Sequence, residues 1–278
     1  MEIKPITGAL GAEIFGADIR KKADAEAVQE AFAKYGVIAI RDQNISPDDH
    51  LEFAERFGQV NINRFFAAVE SHPKIAEVRK EADQKHAIGE IWHTDHSYDE
   101  VPALGSILHA IDMPEVGGDT MFTSMSAAYD GLSDPIKDLI GNLYAVHDTF
   151  HVFLNSPAAK EARAAGRLNA QDQVMPKARH PMVIKHPLSG KNCLYVNPQF
   201  TTEIEGLSDI ESRSLLNMLY EHSQNPDFQC RVRWREGDVT MWDNRATWHK
   251  AVNDYHGARR YMHRVTVEGC ALEAGSRA

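Results

Sequence analysis

The sequence predicts a mainly β chain with helical insertions, built around a double-sheet jelly roll. Three observations lead there. Beyond residue 100, apolar residues gather in short, strand-length runs. The clearest, Phe228–Arg235, alternates Phe228, Cys230, Val232 and Trp234 with Gln229, Arg231, Arg233 and Arg235, a half-buried strand with a basic outer face. Long, partly helical insertions separate the runs, as they do in jelly rolls.

Each element has its own local reason. Val28, Ala31, Phe32 and Tyr35 repeat at i, i+3, i+4, i+7 and predict a helix. Val37–Ile40 reads as a short buried strand. Ser46-Pro47 is an N-cap followed by proline at the first helical position, opening a helix expected to run to Phe57 and stop at Gly58. Further strands are expected at Leu104–Ala110, Met182–His186, Cys193–Val196, Val239–Trp242 and Met262–Val267. A helix is expected over Ile210–His222, with Leu215, Met218 and Leu219 inward. The polar, alanine-rich stretch from Ala158 to Arg179 reads as a helical or mobile insertion.

The 278 residues, 43% apolar and 25% charged, suffice for a large core. No repeat, low-complexity tract or Pro/Gly/Ser-rich linker divides them, so residues 1–278 read as one domain. No stretch approaches the ~18 consecutive apolar residues of a membrane span. Met1–Pro5 lacks the apolar run of a signal peptide. Three cysteines, Cys193, Cys230 and Cys270, form no Cys-x-x-Cys pair and read as reduced thiols of a cytoplasmic protein. A net charge of −10 argues against a nucleic-acid partner. It leaves a small anionic ligand open, because a few buried arginines override a weak global field. The oligomeric state stays open, a homo-oligomer included.

Two motifs carry the chemistry. His93-Thr94-Asp95 lies within Trp92–Tyr98, and His249 closes Trp242–His249. Two imidazoles and one carboxylate are the ligand set of a mononuclear non-haem Fe(II) site with three positions open. With 14 histidines and 40 acidic residues, about two His-x-Asp/Glu matches arise by chance. His50-Leu51-Glu52 is the second match, and among its charged helical neighbours it reads as a solvated face. His147-Asp148-Thr149-Phe150-His151 offers two histidines at i, i+4 for zinc on a helix. Its Asp is a short replacement for the Glu base of H-E-x-x-H sites, and no third ligand suggests itself. His93 and Asp95 differ in their setting: on an extended segment, residues i and i+2 point to one side. His249 then has to arrive from a segment folded alongside. Arg259–Arg264 follows and can hold organic anions near the metal. On a strand, Arg260 and Arg264 share one face.

At this point the chain resembles the Fe(II)/2-oxoglutarate-dependent dioxygenases of the taurine dioxygenase and 2,4-dichlorophenoxyacetate dioxygenase group. The resemblance runs nearly end to end, through Gly8–Ile14, Gly16–Asp18, Arg56–Gly58, Trp92–Asp95, Gly117–Thr120, Leu194–Asn197, Trp242–Arg245 and Arg260–Arg264. It implies a double-stranded β-helix core of jelly-roll, cupin-like type. It implies Fe(II) held by His93, Asp95 and His249, with 2-oxoglutarate and O2 as cosubstrates. Arg260, helped by the Thr120 hydroxyl, would hold the distal carboxylate of 2-oxoglutarate; a guanidinium fork suits a carboxylate and keeps its charge. The resemblance places a substrate-anion contact at Arg264; the alternative is a supporting ion pair. Trp242 either lines the metal pocket or packs in the core. His96 either touches substrate or meets water. Asn197 is structural or positions the pocket wall. Asn61–Phe66 and Ile88–Ile91 depart from the taurine-specific pattern, and Ile88-Gly89 is closer to the aryloxyalkanoate-cleaving members. A carboxylate of aryloxyalkanoate type is the favoured substrate, with alkylsulfonates and sulfate esters as alternatives. A zinc hydrolase on the same three ligands and a non-catalytic jelly-roll binder are the rival classes.

Overall fold

The computed structural model describes residues 1–169 and 175–275. In chain order the first strands are β1 (Glu2–Pro5), β2 (Ala12–Phe15), β3 (Val37–Ile40), β4 (Val60–Asn61), β5 (Ala68–Val69), β6 (His72–Lys80) and β7 (Gly105–Asp112). There follow β8 (Thr120–Ser124), β9 (Tyr144–Asp148), β10 (Lys177–Pro181), β11 (Val183–Lys185), β12 (Asn192–Leu194) and β13 (Thr201–Ile204). The last are β14 (Gln229–Val232), β15 (Val239–Asp243), β16 (Thr247–Ala251), β17 (Arg260–Val267) and β18 (Glu273–Ala274). A nine-stranded sheet runs β1-β2-β3-β15-β7-β17-β6-β5, with β4 also on β17. A three-stranded sheet, β14-β8-β16, supplies the second wall of the site; β10-β9-β13 and β12-β11-β18 form two more.

Period two along the central strands sorts side chains to the two faces of the large sheet. Ile38, Ile40, Ile107, Val239, Met241, Val265 and Val267 pack outward against α1 (Lys22–Tyr35) and α2 (Pro47–Glu55), through Val28, Phe32 and Phe53. Their neighbours Val37, Ala39, Leu108, Ala110, Trp242 and Met262 point inward and meet Phe122, Cys230 and Val232 of the small sheet. Burial on both faces explains the unbroken apolar run of β3. A third core joins α3 (Met125–Asp130) and α6 (Asp209–Ser223) to β9, β11 and β12. Among the described residues, the remaining α-helices are α4 (Asp134–Ile140) and α5 (Pro157–Ala164).

Most expected elements appear, with informative shifts. The Ser46 helix opens on a capping box with Asp49 but ends at Glu55, short of Phe57. Phe228–Arg235 keeps its alternating burial, yet only Gln229–Val232 pair with β8, because the backbone leaves the ladder there. In α6, Leu216 and Leu219 are the buried leucines, while Leu215 and Met218 pack only partly. His50 is not on a solvated face: it is 1% exposed, and its Nε2 meets the Ile107 carbonyl at 3.2 Å. The insertion after Ala158 contains α5 and the start of β10; residues 170–174, part of that expectation, lie outside the described residues. Cys193 and Cys230 are buried, Cys270 is exposed, and all three are free. Among the described residues, no helix is long and apolar enough to cross a membrane.

Candidate metal centre and active-site pocket

The two motifs meet because their backbones pair. His93 N–H donates to the His249 carbonyl (3.1 Å) and His249 N–H donates back to His93 (2.8 Å). The Thr94 hydroxyl adds a bond to the Thr247 carbonyl (3.0 Å). This short extended segment thus lies alongside β16, and His93 and Asp95 turn to the same side as His249. One donor atom from each residue lies within 4.8 Å of the others. The imidazole centroids are 4.0 Å apart, and the carboxylate oxygens lie 3.6 Å from His93 Nε2 and 3.5 Å from His249 Nε2.

Several groups orient these donors. His93 Nδ1 meets the Ile91 carbonyl at 2.7 Å, which leaves Nε2 as the lone-pair nitrogen. Gly89, at φ +87°, allows this approach: a Cβ there would stand 3.2 Å from His93 Cε1. The Ser106 hydroxyl donates to Asp95 Oδ2 (3.1 Å). Burial alone would raise the Asp95 pKa, but Arg264, at 3.0 Å, together with the histidines holds it well below the usual carboxylate range. Burial, with His93 beside it, pushes His249 well below its ordinary pKa, so its imidazole is neutral. A carboxylate and two buried imidazoles, the His93 ring oriented through its Nδ1 by the Ile91 carbonyl, fit a divalent metal such as Fe(II).

The pocket over this cluster lies between the two sheets. Thr120, His249 and Ala251 line it from the small sheet; Val78, Leu108, Trp242, Arg260 and Arg264 line it from the large one. Arg260 and Arg264 enter from one face of β17 and are 6% exposed each. Arg260 Nε donates to the Gly118 carbonyl (3.1 Å), and its guanidinium lies 5.7 Å from the Trp234 ring centroid. Gly118 sits at φ +71°, and a Cβ there would press on Arg260 Cδ at 3.3 Å. Thr120 Oγ1 accepts the Trp234 indole N–H (2.9 Å), which leaves its own hydroxyl proton to donate. Arg264 Nε has no partner among the described residues, and the guanidinium stands over Phe66 at 5.6 Å. Trp242 lines the pocket beside His249, centroids 4.6 Å apart, with an indole N–H that has no partner among the described residues.

Not every expected residue is here. His96 is 2% exposed and adopts a left-handed φ of 59°. Its Nδ1 pairs with Asp99 (2.9 Å), its Nε2 has no partner among the described residues, and it is not among the residues that line the pocket. Asp243 and Arg245 form a buried ion pair (2.7 Å), braced by His186, away from the pocket lining. Asn197 accepts from the Phe200 amide (2.9 Å) and donates to Ser97 (3.0 Å), and Phe200 in turn lines the pocket. His147 and His151 share no helix face; His147 lies on β9, while His151 opens a π-helical turn and bonds the Gln199 carbonyl. Sequence reasoning missed the aromatic wall of Phe66, Tyr98, Phe153 and Phe200. Those residues come from separate segments with no shared motif.

A buried facial cluster of two histidines and one carboxylate, with two arginines beside it, defines the class of mononuclear iron enzymes with open coordination positions. The comparisons make the class specific. The family model for the taurine catabolism dioxygenase TauD, TfdA family matches residues 2–266, and the chain belongs to that family. It is 32% identical over 274 residues to an alpha-ketoglutarate-dependent sulfate ester dioxygenase of Pseudomonas putida, covering 97% of this chain and 90% of that one. It is 32% identical over 267 residues to an alpha-ketoglutarate-dependent 2,4-dichlorophenoxyacetate dioxygenase of Burkholderia sp. (strain RASC), covering 89% and 86%. The crystal structure of a taurine dioxygenase from Burkholderia xenovorans superposes with a TM-score of 0.82 at 29% identity, covering 99% of this chain and 94% of that one. The protein is therefore an oxidoreductase, an α-ketoglutarate (2-oxoglutarate)-dependent dioxygenase that uses Fe(II), 2-oxoglutarate and O2. Both rival classes, the zinc hydrolase and the non-catalytic binder, are set aside.

Proposed function

We propose that this enzyme hydroxylates a small organic anion, with a carboxylate of aryloxyalkanoate type favoured, inside a double-stranded β-helix formed by the two facing sheets. The observation that carries the reading is that His93, Asp95, His249, Arg260 and Arg264 all line one pocket. His93, Asp95 and His249 hold Fe(II). When bound with 2-oxoglutarate and O2, the metal supplies the oxidising chemistry: the keto acid leaves as succinate and CO2, and one oxygen atom enters a substrate C–H bond.

The chain's own residues do the positioning. Arg260 clamps the distal carboxylate of 2-oxoglutarate, and the Thr120 hydroxyl donates one further bond. Arg264 presents a guanidinium to the substrate's anionic group. Trp242 packs against His249 and offers its N–H to the pocket. Phe66, Tyr98, Phe153 and Phe200 exclude water and suit an apolar body on the anion. If the attacked carbon bears an ether oxygen or a sulfur substituent, the hydroxylated product collapses and the bond breaks. The sulfate ester relative favours a second reading, because a guanidinium fork accepts a sulfate or sulfonate as readily as a carboxylate.

The test has two parts. Fe(II) and 2-oxoglutarate added without oxygen should produce a broad visible charge-transfer band. Succinate release should then be screened with aryloxyalkanoates, alkylsulfonates and sulfate esters. Oxygen uptake that needs neither Fe(II) nor 2-oxoglutarate would sink the reading. Stimulation by sulfate esters alone would replace the aryloxyalkanoate assignment.

A further inference from the structure

One buried charge stands just outside the pocket lining and lacks a partner. Lys80 is 1% exposed, and its ammonium has no hydrogen-bond partner among the described residues. An unpaired charge is costly to bury. On β6, Lys80 lies directly opposite Arg260 of β17. Facing residues of an antiparallel pair send their side chains to one face of the sheet, with Cβ atoms about 5 Å apart. Two residues along that face, Val78 lines the catalytic pocket. Lys80 itself does not; its Nζ lies 4.4 Å from the Tyr255 ring centroid. The Tyr255 ring reaches back to Arg260. The point where a Gly118 Cβ would stand is 3.4 Å from Tyr255 Cδ1 and 3.3 Å from Arg260 Cδ.

The charge balance at this end of the pocket is one-sided, because the carboxylates around it bond elsewhere. Glu81, next to Lys80, pairs with Arg259 (3.0 Å), and Glu90 accepts from Asn253 (2.8 Å). Asp119 pairs with Arg231, and Asp254 accepts from the Gly118 amide (2.8 Å). Arg260 bonds only a neutral carbonyl, that of Gly118, among the described residues. The face of a phenol ring offsets a cation only in part. Two cations on one face of the sheet are therefore left without an anionic hydrogen-bond partner among the described residues.

We infer that Lys80 is a specificity residue for the cosubstrate: its ammonium, held over Tyr255, supplies a second positive charge to the Arg260 end of the pocket and so favours a 2-oxo acid with a distal carboxylate over one without. This rests on the reading of Arg260 proposed above. Lys80 acts through space rather than by contact, and a charge does so over several ångströms where water is excluded. The alternative is a lysine that only packs on Tyr255.

The experiment measures anaerobic calorimetric Kd values on the Fe(II)-loaded protein for 2-oxoglutarate and for 2-oxovalerate. The second acid has the same five-carbon chain, with a methyl in place of the distal carboxylate. Lys80→Met keeps the length and the apolar stem and removes the charge. It should weaken 2-oxoglutarate about tenfold and leave 2-oxovalerate within about twofold of wild type. Lys80→Arg should restore 2-oxoglutarate binding to within a few-fold. The KM for 2-oxoglutarate should follow its Kd, with kcat at saturation unchanged. Equal losses for both acids, or no loss for either, overturn the inference and leave Lys80 a packing residue. Should Lys80→Met fail to fold, Lys80→Gln carries the same comparison and the same two outcomes decide it. Arg260→Lys tests the underlying reading separately: if that variant binds 2-oxoglutarate as tightly as the wild type, Arg260 is not the clamp, whatever Lys80 does.

Discussion

Among the described residues, two of the buried histidine pairs contrast sharply, and the first belongs to the metal site. His93 and His249 lie 4.0 Å apart between ring centroids; His147 and His180 lie 5.4 Å apart. Burial lowers the pKa of His249, His147 and His180 alike, so neutral imidazole is common to both places. The surroundings differ. Around the second pair stand the Tyr195 ring, the Thr201 hydroxyl at 3.3 Å from His147 Nδ1 and the Asp99 carbonyl at 2.9 Å from His180 Nε2. No carboxylate side chain bonds either ring of that pair among the described residues, and neither lines the pocket. Around the first stand Asp95 and Arg264. A buried imidazole is ordinary; an ionised carboxylate kept beside two of them, facing a cavity, marks the metal site.

Breaking the first pair should therefore cost far more function than breaking the second. His249→Ala and Asp95→Asn should lose the anaerobic charge-transfer band and lower turnover by about a thousandfold or more, with the fold retained. His147→Gln should keep the band and turnover within a few-fold of wild type. A retained band in His249→Ala, or a lost one in His147→Gln, would erase the distinction. On the cosubstrate side, Arg260→Lys should raise the KM for 2-oxoglutarate about a hundredfold. The lysine keeps the charge but loses the fork and the Nε bond to the Gly118 carbonyl.

The comparison sharpens again in acid, through buried histidines away from the metal. His50 has its pKa pushed down to about 3 by burial and by His109 and His263, and His109 is pushed down to about 4 by burial and His263. Both take up a proton in the unfolded chain near pH 6.5, but not in the folded one until far lower. Stability should therefore fall as pH drops below about 6.5, with His50 alone contributing on the order of 2 kcal/mol at pH 5. Asp243 acts in a different window. Burial alone would raise its pKa, but Arg245 and His186 outweigh it and hold the carboxylate below its usual range, so its stabilising effect is lost only below about pH 4. Urea midpoints at pH 7.5 and 5.5 check this: the midpoint should fall, and His50→Gln should shrink the fall. A midpoint independent of pH would refute it.

Much of this was legible in the sequence, and the exceptions have physical reasons. The ligand triad and the two arginines could be found because strand period two places His93 with Asp95, and Arg260 with Arg264, on one face. The Ser46 cap and the α1 stripe were local signals and appear as local structure. His50 misled because the charges around it on α2 read as solvent, while the helix turns that one position onto β7. The sequence itself sets the His147–His151 pair aside for want of a third ligand; its i, i+4 spacing fits a helix, yet β10 and β13 draw His147 into a sheet. The place of His96 was not legible, because it depends on a left-handed backbone that turns its Nδ1 onto Asp99. The aromatic wall left no trace, because it is assembled from distant segments by topology.

The finest distinction concerns Thr120, which lines the same pocket as the Arg260 clamp but contributes a single hydroxyl. Its oxygen already accepts from Trp234, so only its proton is free for a ligand. A single hydrogen bond from a hydroxyl to a carboxylate contributes about 1.5 kcal/mol net. Thr120→Val should accordingly raise the KM for 2-oxoglutarate only about tenfold, leaving kcat at saturation unchanged. Thr120→Ser restores the hydroxyl and should return the KM to near the wild-type value. If serine fails as badly as valine, the threonine methyl packing holds the pocket wall and the hydroxyl is not a cosubstrate contact. If valine matches the wild type, Arg260 holds the distal carboxylate without help from β8.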